Sequence, residues 1–101
     1  MTFAEMQKAV MKIGEIYGER FNVRIDEDFV LLKLYEEVGE LAQGVLIHRR
    51  KCKPGKYISH DESKQMIANE LADIVGLTIM NAGLLGVDLE KAIENKWLSK
   101  E

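Results

Sequence analysis

Apolar residues recur at helical spacing in four stretches of the chain, and short polar stretches separate them. Thr2 and Glu5 have the spacing of an N-terminal capping box, which predicts the start of a first helix. Its apolar residues then follow the period of an amphipathic helix, at positions 3, 6, 10, 13 and 17. Gly18 predicts the end of this helix, because glycine commonly follows a helix C-terminus.

The second apolar stretch predicts a long helix that Asp26 caps and that runs to about His48. Its apolar positions include 31, 34, 38, 41, 42 and 45. The following loop contains Pro54 and Gly55, which disfavour a regular element. His48 and His60 flank this loop without a clear partner in the pattern, and we expect both in solvent.

The third and fourth stretches predict two further helices. Ser59 and Glu62 form a second capping-box pattern, which opens a helix to about Ala82. Gly83 and Gly86 are expected to break it. A short fourth helix over 89–98 follows, capped by residue 88, and Trp97 is expected to anchor it in the core or to stack on a base. With no strand alternation, repeat or linker, we expect one all-α domain over 1–101, folded as a bundle.

Composition and charge narrow the classes of protein. Hydrophobic residues make up 47% and charged residues 31% of the 101 positions, which is typical of a globular domain. A net charge of −3 argues against nucleic-acid binding. Acidic and amide side chains interrupt the apolar stretch 66–85, and no signal-peptide pattern opens the chain, so we expect no membrane segment. The single Cys52 fits a cytoplasmic protein.

The third helix carries charge where its pattern predicts burial. Glu70 lies in the middle of an apolar sector, and Asp73 shares its face at i,i+3. Apolar residues cover most of the remaining circumference, so we expect the whole helix to be buried. The second helix repeats the pattern, because Glu37 lies at the edge of its apolar stripe and Glu40 follows one turn later.

Four carboxylates brought together need a cation. Two of them about 4 Å apart repel by roughly 4 kcal/mol at an effective dielectric near 20. The third helix has no lysine within one turn of its acidic pair after Lys64. An all-oxygen ligand set favours Mg²⁺, with Mn²⁺ as the alternative.

These residues resemble a known family. Glu36-Glu37-x-x-Glu40 followed by Glu70-x-x-Asp73 resembles the EExxE…ExxD signature of MazG-like, all-α nucleoside triphosphate pyrophosphohydrolases, and the likeness covers residues 25–98. The resemblance implies a MazG-like architecture, a homodimer or dimer of dimers, and Mg²⁺-dependent hydrolysis of a nucleoside triphosphate to the monophosphate and pyrophosphate. The resemblance further implies a set of metal ligands: Glu37, Glu40, Glu70 and Asp73. It also implies residues that bind the substrate phosphates: Lys91, Asn95 and Lys96.

The mechanism that follows is a hypothesis with open parts. A metal-activated water opens the bond between the α- and β-phosphates, and Glu36 or an unengaged ligand carboxylate accepts its proton. The spacing between Glu40 and Glu70 is at the long end of the family range, and the extra length falls in a basic loop that is either solvated or bends over the phosphates. Two other functions stay open: hydrolysis of phosphoribosyl-ATP within the same superfamily, and a non-catalytic helical oligomer with a structural ion.

Overall fold

A computed structural model describes residues 1–99, and all of the regular structure in that part of the chain is helical. Its segments follow one another along the chain: α1 (Phe3–Phe21), α2 (Glu27–His48), a 3-10 turn (Pro54–Lys56), α3 (His60–Leu85), α4 (Leu89–Ile93) and a π-helical turn (Glu94–Leu98). The predicted all-α class is therefore confirmed.

Every predicted helix start is confirmed by a side-chain cap. In each case the cap oxygen accepts a hydrogen bond from the backbone N–H three residues later, which satisfies one of the free N–H groups of the first turn. The four caps are Thr2, Asp26, Ser59 and Asp88.

The predicted end of the first helix was wrong. α1 continues past Gly18 and ends at Asn22, which adopts the left-handed conformation (φ 51°) and donates its N–H to the Gly18 carbonyl. Gly18 has a different role, since a Cβ there would lie 2.9 Å from both the Val23 carbonyl oxygen and Ile25 Cγ1. The glycine thus allows the returning chain to pass close to the helix.

The third helix also runs further than its glycines predicted. It passes through Gly83 and ends at Gly86, whose φ of 69° is the left-handed C-cap conformation that glycine adopts without a steric penalty. Only the second of the two glycines therefore acts as a stop.

α2 and α3 pack against each other as an antiparallel pair, which we call the hairpin. Gly44 lies against Ile67 about one turn before the end of α2, and a Cβ on the glycine would be 3.4 Å from that side chain. Near the loop, His48 Nδ1 lies 2.7 Å from the oxygen of the buried Ser63. The expectation that His48 is free in solvent was therefore wrong, whereas His60 is exposed.

α1 packs on α3, and the resulting body is thin. Gly14 allows the approach, because a Cβ there would lie 3.0 Å from Met80 Cε. The radius of gyration is 16.2 Å, against about 13 Å for a compact domain of this length. The buried apolar side chains in the described part of the chain are few: Val30, Ile79 and Ala82. The expected burial of α3 all round was wrong for a single chain, since Leu71 and Val75 are 48% and 55% exposed.

The fourth helix extends away from this body. Its axis, taken over Leu89–Leu98, makes an angle of 116° with α3. Trp97 is exposed, so it does not anchor this segment in the core of its own chain. One chain forms a three-helix body with a protruding arm rather than a closed four-helix bundle. Among the described residues no single helix is long and apolar enough to cross a membrane, although α3 and the bent arm together meet the length and composition.

Candidate active site

The two acidic pairs predicted from the sequence meet in the middle of the hairpin. Glu37 projects from α2 towards α3, and its carboxylate joins those of Glu70 and Asp73 with one oxygen of each within 4.8 Å of the others. Glu37 also forms a second trio on α2 with Glu36 and Glu40, within the same distance. Glu37 is thus the residue common to both trios, and the five side chains form one acidic cluster.

Two oxygens of this cluster are buried without a hydrogen-bond donor. They are Oε2 of Glu37 and Oε2 of Glu70. Buried acceptors are normally paired, because leaving one unpaired costs about 1–3 kcal/mol. Ionised carboxylates only accept hydrogen bonds, so neither residue can satisfy the other while both are charged.

The crowding changes the acid–base chemistry of Glu37. The largest cause is the hydrogen bond that Glu37, when protonated, donates to the Glu70 carboxylate, followed by partial burial and by the charges of Glu40, Glu70 and Asp73. Together they raise the pKa of Glu37 from 4.5 to about 8. Without a cation, Glu37 therefore keeps its proton between pH 4.5 and about 8, where an ordinary glutamate is ionised.

Lys33, which the motifs in the sequence do not include, lies at the edge of the cluster. Lys33 Nζ is 3.0 Å from Glu36 Oε1, and the bond to Glu36 raises the pKa of this lysine. Its position one turn before Glu37 on α2 was the available signal, since residues four apart share a helix face. Glu36 is exposed and paired, which distinguishes it from Glu37.

A cleft of about 430 Å³ opens beside the cluster, between α1 and the hairpin. Its volume lies within the range of small-molecule sites. Apolar and aromatic residues line most of its wall, including Tyr17 and Phe29. Charged groups line one edge: Lys33, Glu37 and Asp73. The rings of Tyr17 and Phe29 are 6.2 Å apart.

The predicted phosphate-binding residues lie on the protruding arm. Lys91, Asn95 and Lys96 are all exposed, and none of them lines the cleft. Their contact with substrate stays a prediction, because a single chain does not place these side chains at the cleft.

The basic loop lies at the end of the hairpin, away from the cluster. From Glu40 to the end of α2 is eight residues, or about 12 Å along the helix axis. Within the loop, the Arg50 guanidinium stacks over the Tyr57 ring at 4.6 Å. The loop cations therefore lie at the end of the hairpin rather than over the acidic cluster.

The donor set fits a hard divalent cation. All five side chains offer carboxylate oxygen, which is the ligand type that Mg²⁺ and Mn²⁺ prefer. A cation between Glu37 and Glu70 would satisfy both unpaired oxygens and offset the repulsion that raises the pKa of Glu37.

No protein-family model, curated protein or solved structure matches this chain. The geometry of the cluster and cleft is therefore the basis on which a function can be argued.

Proposed function

We propose that this protein is a Mg²⁺-dependent nucleotide pyrophosphohydrolase that converts a (deoxy)nucleoside triphosphate to the monophosphate and pyrophosphate. One observation carries the proposal: Glu37 and Glu70 present unpaired buried oxygens where the acidic cluster meets an aromatic cleft. A metal centre adjoining a cleft with apolar and aromatic walls suits a ligand with a phosphate chain at one end and a base at the other. The sequence resemblance to MazG-like enzymes agrees with this assignment.

Four carboxylates would hold the metal: Glu37, Glu40, Glu70 and Asp73. When bound, Mg²⁺ supplies charge neutralisation for the phosphates and a more acidic water. Lys33 lies on the cleft edge beside Glu37, so its ammonium group donates hydrogen bonds to a phosphate oxygen that enters there. Glu36 accepts the proton of the attacking water, because its carboxylate is exposed and belongs to the outer trio.

The cleft would take the nucleoside. Tyr17 and Phe29 provide ring faces on which a base stacks, and stacking of this kind tolerates different bases. The cleft walls carry few hydrogen-bonding groups, which favours a broad base preference. Nucleotide-pool housekeeping in the cytoplasm, by a homo-oligomer, is the role that fits such an enzyme.

The direct test is a panel of nucleotides with Mg²⁺. Standard, deoxy and damaged triphosphates and phosphoribosyl-ATP are each incubated with the protein, and pyrophosphate is measured. We expect release from one or more triphosphates and none in EDTA. Release from phosphoribosyl-ATP alone would replace the substrate assignment, and no release from any compound would favour a non-catalytic metal-binding protein.

Variants of the cleft separate binding from chemistry. Phe29→Ala removes a stacking face without touching the carboxylates, so we expect KM to rise by roughly tenfold with kcat little changed. Tyr35→Ala is the matched control, since this aromatic residue lies on the same helix and does not line the cleft. Equal effects of the two substitutions would refute the assignment of the cleft.

A further inference from the structure

The cleft beside the acidic cluster has an apolar end and a charged end. Phe29, Lys33 and Glu37 line it at intervals of four residues, so they lie on one face of α2. Lys33 is about 6 Å along the helix axis from each of the other two. Phe29 belongs to the aromatic wall with Tyr17, and Glu37 belongs to both carboxylate trios. A ligand that lies along the cleft therefore meets ring faces, then an ammonium group, then carboxylates.

α3 lines the cleft in the same order. Asp73 lies at the charged end, where one of its oxygens is within 4.8 Å of Glu37. Met80 lies about 10.5 Å further along α3, at the apolar end. Between them Gly76 lines the cleft at about the level of Lys33, and a Cβ on this glycine would meet no atom within 4 Å. The cleft is therefore open where Lys33 borders it.

Lys33 is the one cationic side chain among residues 1–99 that lines the cleft. Its Nζ lies 3.0 Å from Oε1 of Glu36 on the same helix. The two side chains are 35% and 56% exposed. An ion pair that is open to water to this extent adds little stability, so an anion that enters the cleft can replace Glu36 as the partner of the lysine.

A nucleoside triphosphate presents its groups in the order that the cleft does. The base is followed by the sugar and the α-phosphate, and the β- and γ-phosphates lie beyond. With the base on Phe29 and the outer phosphates at the acidic cluster, the α-phosphate is the group that reaches Lys33. A polyphosphate chain carries more negative charge than one carboxylate, and the flexible four-carbon stem of a lysine lets the ammonium group turn towards it.

We propose that Lys33 exchanges partners when substrate binds: it leaves Glu36 and binds the α-phosphate, which is the phosphate that stays with the nucleoside. The inference rests on the proposed function and deepens it, because it assigns Lys33 to the retained half of the substrate rather than to the departing pyrophosphate. The exchange also frees the Glu36 carboxylate for its proposed role as the base. Glu36 is thus released only where a nucleotide occupies the cleft.

Binding of the two products tests which half of the substrate Lys33 holds. Deoxyadenosine monophosphate is titrated into the protein in EDTA, and pyrophosphate is titrated in Mg²⁺, both by calorimetry. Lys33→Met keeps most of the length of the side chain but removes its charge. We expect the affinity for the monophosphate to fall by about tenfold or more, because hydrogen bonds between charged groups are the stronger ones. The affinity for pyrophosphate should change by less than about threefold. The reverse pattern would overturn the assignment to the α-phosphate.

α1 offers a matched control for both charges. Lys12 and Glu15 form an ion pair with the same i,i+3 spacing, at 3.7 Å, and neither residue lines the cleft. Lys12→Met and Glu15→Gln should therefore leave the affinity for the monophosphate within about twofold of the wild-type value. If Lys12→Met lost as much affinity as Lys33→Met, the loss would follow from net charge, and the proposed contact would be wrong.

A double-variant cycle tests the exchange itself. Glu36→Gln removes the competing carboxylate, so it should tighten binding of the monophosphate by about three- to tenfold while Lys33 is present. In the Lys33→Met background the same substitution should have little effect, because there is no ammonium group to compete for. An equal gain in both backgrounds would show two independent charges, and weaker binding would show that Glu36 supports the ligand. Either result would refute the exchange.

The outcomes also separate this inference from the proposed function. If the wild-type chain releases pyrophosphate from deoxyadenosine triphosphate but Lys33→Met binds the monophosphate as the wild type does, the inference fails alone. If the wild-type chain neither releases pyrophosphate from any nucleotide nor binds the monophosphate, the proposed function fails with it.

Discussion

Five acidic side chains meet in the middle of the hairpin, and five basic side chains lie in the loop at its end. The loop cations are Arg49, Arg50, Lys51, Lys53 and Lys56. All five are exposed, and none forms an ion pair with a carboxylate among residues 1–99. The acidic cluster is different, because it includes buried oxygens without donors and a pKa raised to about 8.

The difference shows that burial, rather than the number of charges, indicates a site. A charge in water is already solvated, so an exposed run of cations needs no partner. A carboxylate facing other carboxylates inside a helix pair must gain a proton or a cation. Five charges therefore indicate a site in the acidic cluster, whereas five charges in the basic loop do not.

The largest expected effect is on catalysis by the cluster. Glu70→Gln keeps the shape of the side chain but removes a charged ligand. We expect Mg²⁺-dependent pyrophosphate release to fall by more than about 100-fold, since even changes to groups behind metal ligands cost 10–100-fold. Circular dichroism should show an unchanged helix content. Glu19→Gln on α1 is the control, because Glu19 is exposed and outside both carboxylate trios. Near-normal turnover of the Glu70 variant would refute the site.

The next effect is on thermal stability: above pH 8, Glu37→Gln should raise the Tm without metal but reduce the increase in Tm that Mg²⁺ gives. Saturating Mg²⁺ at about 100 Kd should stabilise the wild-type fold by about 2.7 kcal/mol, seen as a higher Tm. Above pH 8, where folded Glu37 is ionised, Glu37→Gln should raise the Tm in EDTA, because an amide relieves repulsion and donates to the unpaired Glu70 oxygen. The same variant should lose most of the Mg²⁺ response. If its Tm in EDTA fell instead, the crowding of the cluster would not be the dominant interaction of Glu37.

A smaller effect should appear as pH dependence of the metal-free protein. Folded Glu37 keeps its proton up to about pH 8, whereas the unfolded chain loses it near 4.5. Between these values the folded state binds more protons, so the free energy of unfolding falls as pH rises. The Tm in EDTA should therefore decline from pH 5.5 to 8.5. Glu37→Gln should flatten this decline, and an equal slope in both proteins would assign it to other groups.

The smallest effect is expected in the basic loop. Lys53→Ala removes an exposed, unpaired cation, so stability should change by less than about 0.5 kcal/mol. Pyrophosphate release should stay within about twofold, because the loop lies about 12 Å along α2 from Glu40. A tenfold loss in Lys53→Ala but not in Lys12→Ala, an exposed position on α1, would show that the loop reaches the phosphates.

Local chemistry made the helix starts predictable from sequence. A side-chain oxygen three residues before a free N–H, as in Thr2 or Ser59, acts over one turn and needs no tertiary contact. The i,i+3 spacing likewise places Glu70 and Asp73 on one face of any α-helix. Glu37 joins the acidic pair of α3 because of the register of α2 against α3, which spacing along one helix does not determine.

The helix ends and the burial of apolar residues were decided by tertiary structure. Gly18 and Gly83 look like stops, but each lies inside a helix where a neighbouring segment passes close. Apolar periodicity also predicted that α3 is buried all round, yet Leu71 and Val75 are exposed in one chain. A sequence specifies which residues avoid water; the packed structure shows which of them its own chain covers. Here α3 leaves Leu71 and Val75 uncovered, and its carboxylates facing Glu37 of α2 form the candidate site.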